Sequence, residues 1–238
     1  HLSQALPESV QTAEPGAPLV RAIAAYYAPQ ADYTWSARLR EPVASVRATG
    51  NLLLNVGKKS WEVRGGFSLV PEVDKVFRFD MEIPAGWVLT QVSTADGVNL
   101  AFEEYPGEND TRQVHVRLPA GLPPQTASSI YFRAEATPPG WLDAWPERKF
   151  TVPFPRFLVR GANQFEGAIA IHADQDLQLQ PAAADRFRAV TPLDENEKKQ
   201  YGLADTPTTF AYRHESADYG AEFVAEPVTP LLSARTFS

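Results

Sequence analysis

Hydrophobic and polar residues alternate one by one along several stretches of the chain, and this period of two limits the fold more than any other feature. The alternation is clearest over residues 61–69, 77–83, 113–118 and 130–136. Successive side chains of a β-strand point to opposite faces of a sheet, so each stretch has one apolar and one polar face. Strands of parallel sheets are buried on both faces and give continuous apolar runs instead. The pattern therefore predicts antiparallel sheets with one face in water.

The apolar positions of these stretches predict the core of a first folding unit. Because the period is two, Arg78, Asp80 and Glu82 are expected on the solvent side of their strand. We expect nine large side chains to be buried together in this core: Phe77, Phe79, Met81, Ile83, Val114, Val116, Leu118, Ile130 and Phe132.

Proline and glycine interrupt the alternation in three related words, at Ile83–Trp87, Leu118–Leu122 and Thr137–Trp141. Proline sets φ at the second position of a turn and glycine suits the fourth, so each word predicts the end of a strand. Asp96 and Gly97 lie between two alternating stretches and predict a hairpin. The 21 prolines, about 9% of the chain, favour short elements joined by turns over long helices.

The predicted fold class is all-β, with antiparallel β-sandwich units in tandem and at most one short surface helix, at residues 194–202. A length of 238 residues exceeds that of a usual single domain. A stretch rich in proline and aromatic residues at 138–155 suggests a junction. We therefore expect a flexible lead-in over residues 1–18, a sandwich unit over 19–145 and a second β-rich unit over 146–238.

Residues 25–43 and 211–228 share eight residues in the same order, including Ala-Asp-Tyr and Glu-Pro-Val. The match predicts a repeat, and a coincidence of composition is the alternative. In a true repeat each copy forms a strand, a tight turn near Asp32 or Asp218, and a returning strand. Pro230–Ser238 would then be an edge strand or a frayed tail.

A tyrosine-bearing strand, a turn and a strand ending in Glu-Pro-Val precede alternating strands that end in Pro-Ala-Gly words. This order resembles repeated β-sandwich segments of very large exported bacterial proteins, over residues 20–140 and again from 208. The resemblance implies an extracytoplasmic location, at the cell surface or in the periplasm, and other modules of the same chain as partners. No activity is assigned to that group, so the resemblance identifies no catalytic or ligand residue.

Charge and composition exclude several classes of function. With 29 acidic and 22 basic residues the net charge is −7 and no basic run is present, which argues against nucleic acid as a partner. The absence of cysteine excludes disulfides, thiol catalysis and cysteine-ligated zinc. No apolar run approaches the length of a membrane span. The four histidines are scattered without metal-ligand spacing, so no cofactor is predicted.

An acidic loop supplies one candidate site. Glu104, Glu108 and Asp110 lie within the sequence EEYPGEND and could offer oxygen ligands to calcium, although the loop lacks the spacing of a known calcium-binding loop. In a chain with 29 acidic residues, a cluster of exposed carboxylates is also expected without any metal.

Aromatic residues supply a second candidate site. Trp141, Trp145 and Tyr105 could stack on sugar rings; alternatively, the two tryptophans pack as a plug between the predicted units. The sequence therefore predicts a non-catalytic structural or interaction module of an exported protein. A carbohydrate-binding accessory module of a secreted enzyme is the alternative, and an enzyme whose site assembles from dispersed residues stays open.

Overall fold

The computed structural model describes residues 34, 36, 45–141, 149–203 and 206–228. Contacts divide the chain into two compact units, His1–Pro42 and Val43–Ser238. Of the first unit only two residues, Thr34 and Ser36, are described, and both are exposed. The predicted lead-in lies outside the described residues, as does the rest of the first copy of the predicted repeat. All that follows concerns the second unit.

The described part of the second unit is built almost wholly from β-strands. In chain order they are β1 (Val46–Val56), β2 (Trp61–Pro71), β3 (Val76–Pro84), β4 (Trp87–Thr94), β5 (Phe102–Pro106), β6 (Thr111–Leu122), β7 (Ser128–Ala136), β8 (Phe150–Pro153), β9 (Leu158–Val159), β10 (Ala162–Ala173), β11 (Leu177–Pro181), β12 (Val190–Pro192), β13 (Phe210–His214) and β14 (Glu222–Pro227). One 3₁₀ turn (Ala184–Arg186) and one α-helix, α1 (Glu195–Gln200), join the later strands. The predicted all-β class is confirmed.

The strands form three sheets around a shared core. The seven-stranded sheet has the order β12-β13-β10-β1-β2-β7-β4, the four-stranded sheet β5-β6-β3-β9, and the three-stranded sheet β11-β14-β8. One buried cluster takes apolar side chains from all three sheets, including Leu54, Met81 and Phe223. The arrangement is sandwich-like because each sheet buries one face against this common core.

One strand pair departs from the predicted antiparallel arrangement. β1 and β10 pair in parallel along their whole length, whereas the other pairs among the described strands are antiparallel. β10 contains the buried run Ala168–Ile171. Ile169 and Ile171 join the main core, while Ala168 and Ala170 pack in a second, smaller cluster. The parallel strand thus shows the continuous apolar run that burial on both faces requires.

The predicted boundary near residue 145 is wrong. β10, β12 and β13 follow that position, yet they lie in the same sheet as β1, β2, β4 and β7. The parallel β1–β10 ladder joins Val46–Val56 to Ala162–Ala173 and holds the two predicted units in one body. Proline is frequent in linkers between domains, but it also occurs on edge strands and at strand starts within one domain.

Eight of the nine predicted core residues are buried, and Phe77 is the exception at 58% exposed. The β3–β6 ladder is irregular at this point, because Arg78 pairs with Arg117 whereas Val76 pairs with Leu122. An irregularity of this kind breaks strict alternation, so Val76 takes the buried position and Phe77 turns outward.

Two of the three proline-glycine words end a strand as predicted, at Pro84 and Ala136. The third word also contains the end of a strand, at Leu122, although β6 runs through its proline and glycine before it ends. Gly121 has a φ of +65° and its α-carbon lies beside the Phe77 ring, where a β-carbon would meet a ring atom at 2.8 Å. Glycine is needed here for a left-handed backbone and close packing within the irregular ladder.

The predicted hairpin at residues 211–228 is also wrong. β13 pairs with β10 and β12, whereas β14 pairs with β8 and β11 in a different sheet. The turn near Asp218 therefore carries the chain from one sheet to another. Tyr219 after it is fully buried between the sheets, which explains an aromatic residue at this position without a repeat.

The predicted surface helix is confirmed as α1, which connects β12 to β13. Asp194 caps it by accepting hydrogen bonds from the backbone amides of Asn196 and Glu197 at 2.8 Å. The Glu197 carboxylate accepts in return from the Asp194 amide at 2.9 Å, which completes a capping box. No residue of the helix is buried.

Candidate functional site

A cleft of about 540 Å³ opens where the ends of β2, β3, β7 and β8 meet. The β3–β4 turn at Ala85–Gly86 and the β5–β6 turn at Asn109–Asp110 complete its wall. Two left-handed residues, Asn109 (φ 52°) and Asp110 (φ 55°), make the second turn, and the Thr111 amide closes it onto the Glu108 carbonyl at 3.1 Å. This is the geometry of a tight two-residue hairpin turn.

Aromatic and proline residues make the wall of the cleft apolar and rigid. Trp61 packs edge-to-face on Trp141 and Phe150, with ring centroids 5.2 and 6.0 Å apart. Trp141 is anchored by a 3.1 Å hydrogen bond from its Nε1 to the Gly57 carbonyl. Proline fixes the backbone angle φ and has no N–H, so the prolines of one wall cannot donate backbone hydrogen bonds to the opposite wall. The apolar lining comprises Trp61, Trp87, Phe150, Phe154, Pro84, Pro138, Pro139, Pro153 and Pro155.

Three charged side chains also line the cleft. Arg156 is engaged, since its Nη1 lies 3.1 Å from Oδ1 of Asp218. The carboxylates of Glu82 and Asp110 have no hydrogen-bond or ion-pair partner among the described residues. The two residues come from neighbouring strand ends, because Glu82 pairs with Gln113 and the Ala85 amide donates to the Asp110 carbonyl at 2.8 Å. Two carboxylates without a partner among the described residues therefore lie close together in the lining of the cleft.

β8 presents an open backbone edge to this cleft. It ends its sheet and pairs with β14 alone among the described strands. The Phe154 amide donates to the Ala221 carbonyl at 2.8 Å. Backbone groups alternate in direction along an antiparallel strand, so those of Val152 also face β14 and those of Thr151 and Pro153 face away. Thr151 thus offers a free N–H and C=O at the cleft, and Pro153 a C=O alone.

The structure does not assemble the predicted calcium site. Glu104 is bound to Arg112, with Oε2 and Nη1 2.6 Å apart. Glu108 and Asp110 belong to the hairpin turn and are exposed. In the described part of the chain no group of three or more histidine, aspartate or glutamate side chains could hold a metal ion. The acidic loop is explained by turn formation and one ion pair instead.

The predicted aromatic platform is not assembled either. Trp141 is 2% exposed and packs against Trp61 and Phe150, which line the cleft, so it presents no face to a sugar. The predicted plug between two units is wrong for the same residue, because its neighbours belong to a single core. Tyr105 is 45% exposed on β5. Trp145 lies outside the described residues.

Tyr105 instead belongs to a polar network on the outer face of the four-stranded sheet. Its hydroxyl donates to Oε2 of Glu103 at 2.7 Å, and its ring meets His115 edge-on at 4.8 Å. The hydrogen bond from Tyr105 lowers the pKa of Glu103, with Arg117 acting in the same direction. The same bond raises the pKa of Tyr105. His115 Nδ1 lies 2.9 Å from Oδ1 of Asp80, a pair that orients the imidazole on an open sheet face.

Sequence reasoning missed a second histidine environment. His214 is 2% exposed and stacks between Tyr219 and Phe165, with ring centroids 4.3 and 5.5 Å apart. Its Nδ1 donates to the Ser216 carbonyl at 3.1 Å, and its Nε2 is enclosed without a partner among the described residues. Burial lowers the pKa of His214 to about 4, although the bond to Ser216 acts in the opposite direction. The ring is therefore neutral near pH 7.

Comparisons with known proteins leave the family of this chain open. No family model matches the sequence, and no curated protein matches it either. Among solved structures, an M1 zinc metallopeptidase from Deinococcus radiodurans is 13% identical with a TM-score of 0.45, covering 75% of this chain and 42% of that protein. Yeast LTA4 hydrolase is 10% identical with a TM-score of 0.42, covering 76% of this chain and 29% of that protein. The chain spans less than half of either protein, and the TM-scores are too low to support an argument about function.

Proposed function

We propose that the chain is a non-catalytic interaction module that binds a protein partner in the cleft between β3 and β8. The cleft is the observation that supports the proposal. Its volume is typical of a ligand-binding site, and it combines an apolar wall with a few polar groups and an open backbone edge. The placement of the chain in an exported or cell-surface protein rests on the resemblance of the sequence. The same resemblance makes another module of the same protein the source of the partner segment in this proposal.

A carbohydrate-binding module is the second candidate that the sequence suggested. Sugar binding of the predicted kind needs exposed ring faces, and the tryptophans that line the cleft, Trp61 and Trp87, are 3% and 6% exposed. The burial of these rings favours a polypeptide over a glycan as the occupant of the cleft.

No helix among the described residues is long and apolar enough to cross a membrane.

Selection from a random peptide library displayed on phage tests the proposal. Thr137 is exposed at the mouth of the cleft, so Thr137→Trp fills it, and Thr126→Trp places the same bulk at an exposed position away from it. We expect peptides that bind the unaltered chain and the Thr126→Trp variant but lose at least ten-fold in affinity for Thr137→Trp. The absence of any cleft-dependent peptide would overturn the proposal. Retardation in polysaccharide gels that Thr137→Trp abolishes would favour the carbohydrate alternative.

A further inference from the structure

The cleft's backbone edge and its charge point to the same class of occupant. We propose that it binds a short, extended polypeptide segment that carries a lysine or arginine side chain, paired with β8 and facing Glu82 and Asp110. The inference rests on the proposed function and adds the chemistry of the partner.

The open edge of β8 accounts for the extended conformation. A bound strand can exchange two backbone hydrogen bonds with Thr151, in the manner of strand addition to a sheet edge. Pro153 lacks an N–H, and Pro155 follows it, so the ladder cannot continue far in that direction. The edge therefore suits a segment of a few residues, and the same prolines prevent a long edge-to-edge association between copies of the chain.

The unpaired carboxylates account for the basic side chain. Glu82 is partly buried beside the apolar wall, where a carboxylate without a partner has lost part of its hydration. A lysine or arginine side chain of the ligand replaces the lost hydration of the carboxylate with charge-assisted hydrogen bonds. Arg156 does not pair with either of these carboxylates, because its Nη1 lies 3.1 Å from Oδ1 of Asp218 instead.

Side chains of an extended segment alternate in direction, which explains how one ligand can satisfy both parts of the cleft. When the backbone of the segment pairs with Thr151, its side chains point alternately to two sides. One set faces the proline and aromatic wall, and the other set faces the acidic residues. The recognised segment is therefore expected to combine a basic residue with apolar residues.

Peptide pools with one fixed central residue test this inference on the full chain. Hexapeptide pools fixed as Lys, Arg, Leu or Glu are titrated by fluorescence polarisation at low and high salt. We expect the Lys and Arg pools to bind at least ten-fold more tightly than the Glu pool, with the difference shrinking as salt increases. Methylation of the central backbone nitrogens of the peptides is expected to abolish binding, because the methylated peptide can no longer donate hydrogen bonds to β8.

Variants locate the charge effect. The double variant Glu82→Gln with Asp110→Asn is expected to bind all pools alike, whereas Glu135→Gln, an exposed acid on β7 outside this cleft, keeps the preference. Circular dichroism confirms that each variant is folded. If the Glu and Lys pools bind equally well and Thr137→Trp still abolishes their binding, this inference is overturned and the proposed function stands. If no pool binds and the library selection also fails, both are overturned.

Discussion

Burial sets the protonation state of His214, which lies between the rings of Phe165 and Tyr219. Because Nδ1 donates to a backbone carbonyl, a second proton would have to reside on Nε2, which is enclosed without an acceptor. The folded protein therefore binds this proton only near pH 4, whereas an unfolded histidine binds it near pH 6.5. Acid favours unfolding throughout the interval between these two values.

We expect the free energy of unfolding to fall by about 2 kcal/mol between pH 7 and pH 5, because only the unfolded chain takes up the His214 proton in that range. His214→Phe retains a ring between the two aromatic neighbours and is expected to flatten this dependence. Urea titrations at a series of pH values measure it. His172→Gln, at a partly exposed histidine, serves as the control and should keep the slope. An unchanged slope in His214→Phe would contradict the assignment.

At the scale of the strand, the irregular ladder of β3 decides which phenylalanine is in the core. Phe79 is 5% exposed and Phe77 is 58% exposed, although the two are separated by one residue. Outside, Phe77 lies near the Lys75 ammonium, with 5.3 Å from Nζ to the ring centroid. An exposed cation–π contact of this kind contributes about 0.5–1 kcal/mol.

We expect Phe79→Ala to lower the free energy of unfolding by about 3–5 kcal/mol, because it leaves a cavity in the core. Phe77→Ala removes only surface contacts and should cost about 1 kcal/mol or less. Urea unfolding of both variants, followed by circular dichroism, gives the comparison. Equal losses for the two variants would mean that β3 alternates without interruption and that Phe77 packs inside.

The same strand shows how far the sequence alone could go. Alternation located Met81, Ile83, Val114 and Val116 correctly because a regular ladder converts sequence parity directly into burial. It failed at Phe77, since an irregular ladder depends on the partner strand, here on the left-handed Gly121 across the gap. Local patterns carry no information about such cross-strand events.

The candidate cleft was beyond sequence reasoning for a related reason. Glu82, Asp110 and Thr151 are far apart in the chain and meet because the four-stranded and three-stranded sheets end at one place. The one signal that the sequence offers here is the density of proline near residues 138–155, and that density predicts a junction instead of a cleft. His214 was equally hidden, because its burial follows from packing between sheets and from no feature of its neighbours in sequence.

At the scale of the whole molecule, the shared seven-stranded sheet makes residues 45–228 one structural body. β1 and β2 contribute to it from the first half of the described chain and β10 and β13 from the second. Phe67 packs against both Phe132 and Phe165 within this sheet, with ring centroids 5.2 and 6.0 Å apart. Separate unfolding of the two halves would break both the ladder and this aromatic cluster.

We therefore expect one cooperative unfolding transition for this body. Hydrogen exchange with mass spectrometry in increasing urea should give the same midpoint for peptides from β2 and from β14, because neither sheet survives loss of the other's packing. The comparison uses the intact chain. Two transitions separated by 1 M urea or more would restore two independent units with a boundary near residue 145.

The parallel pairing of β1 with β10 also constrains when the protein can fold. The two strands are on the order of a hundred residues apart in the chain, and closing so long a loop carries an entropic cost before any contact repays it. On the ribosome, β1 can pair with β2 early, but its other edge waits until β10 has been synthesised and has left the exit tunnel. During that interval one edge of a growing sheet is open to neighbouring nascent chains. The rate of translation therefore sets how long this edge of the sheet stays open.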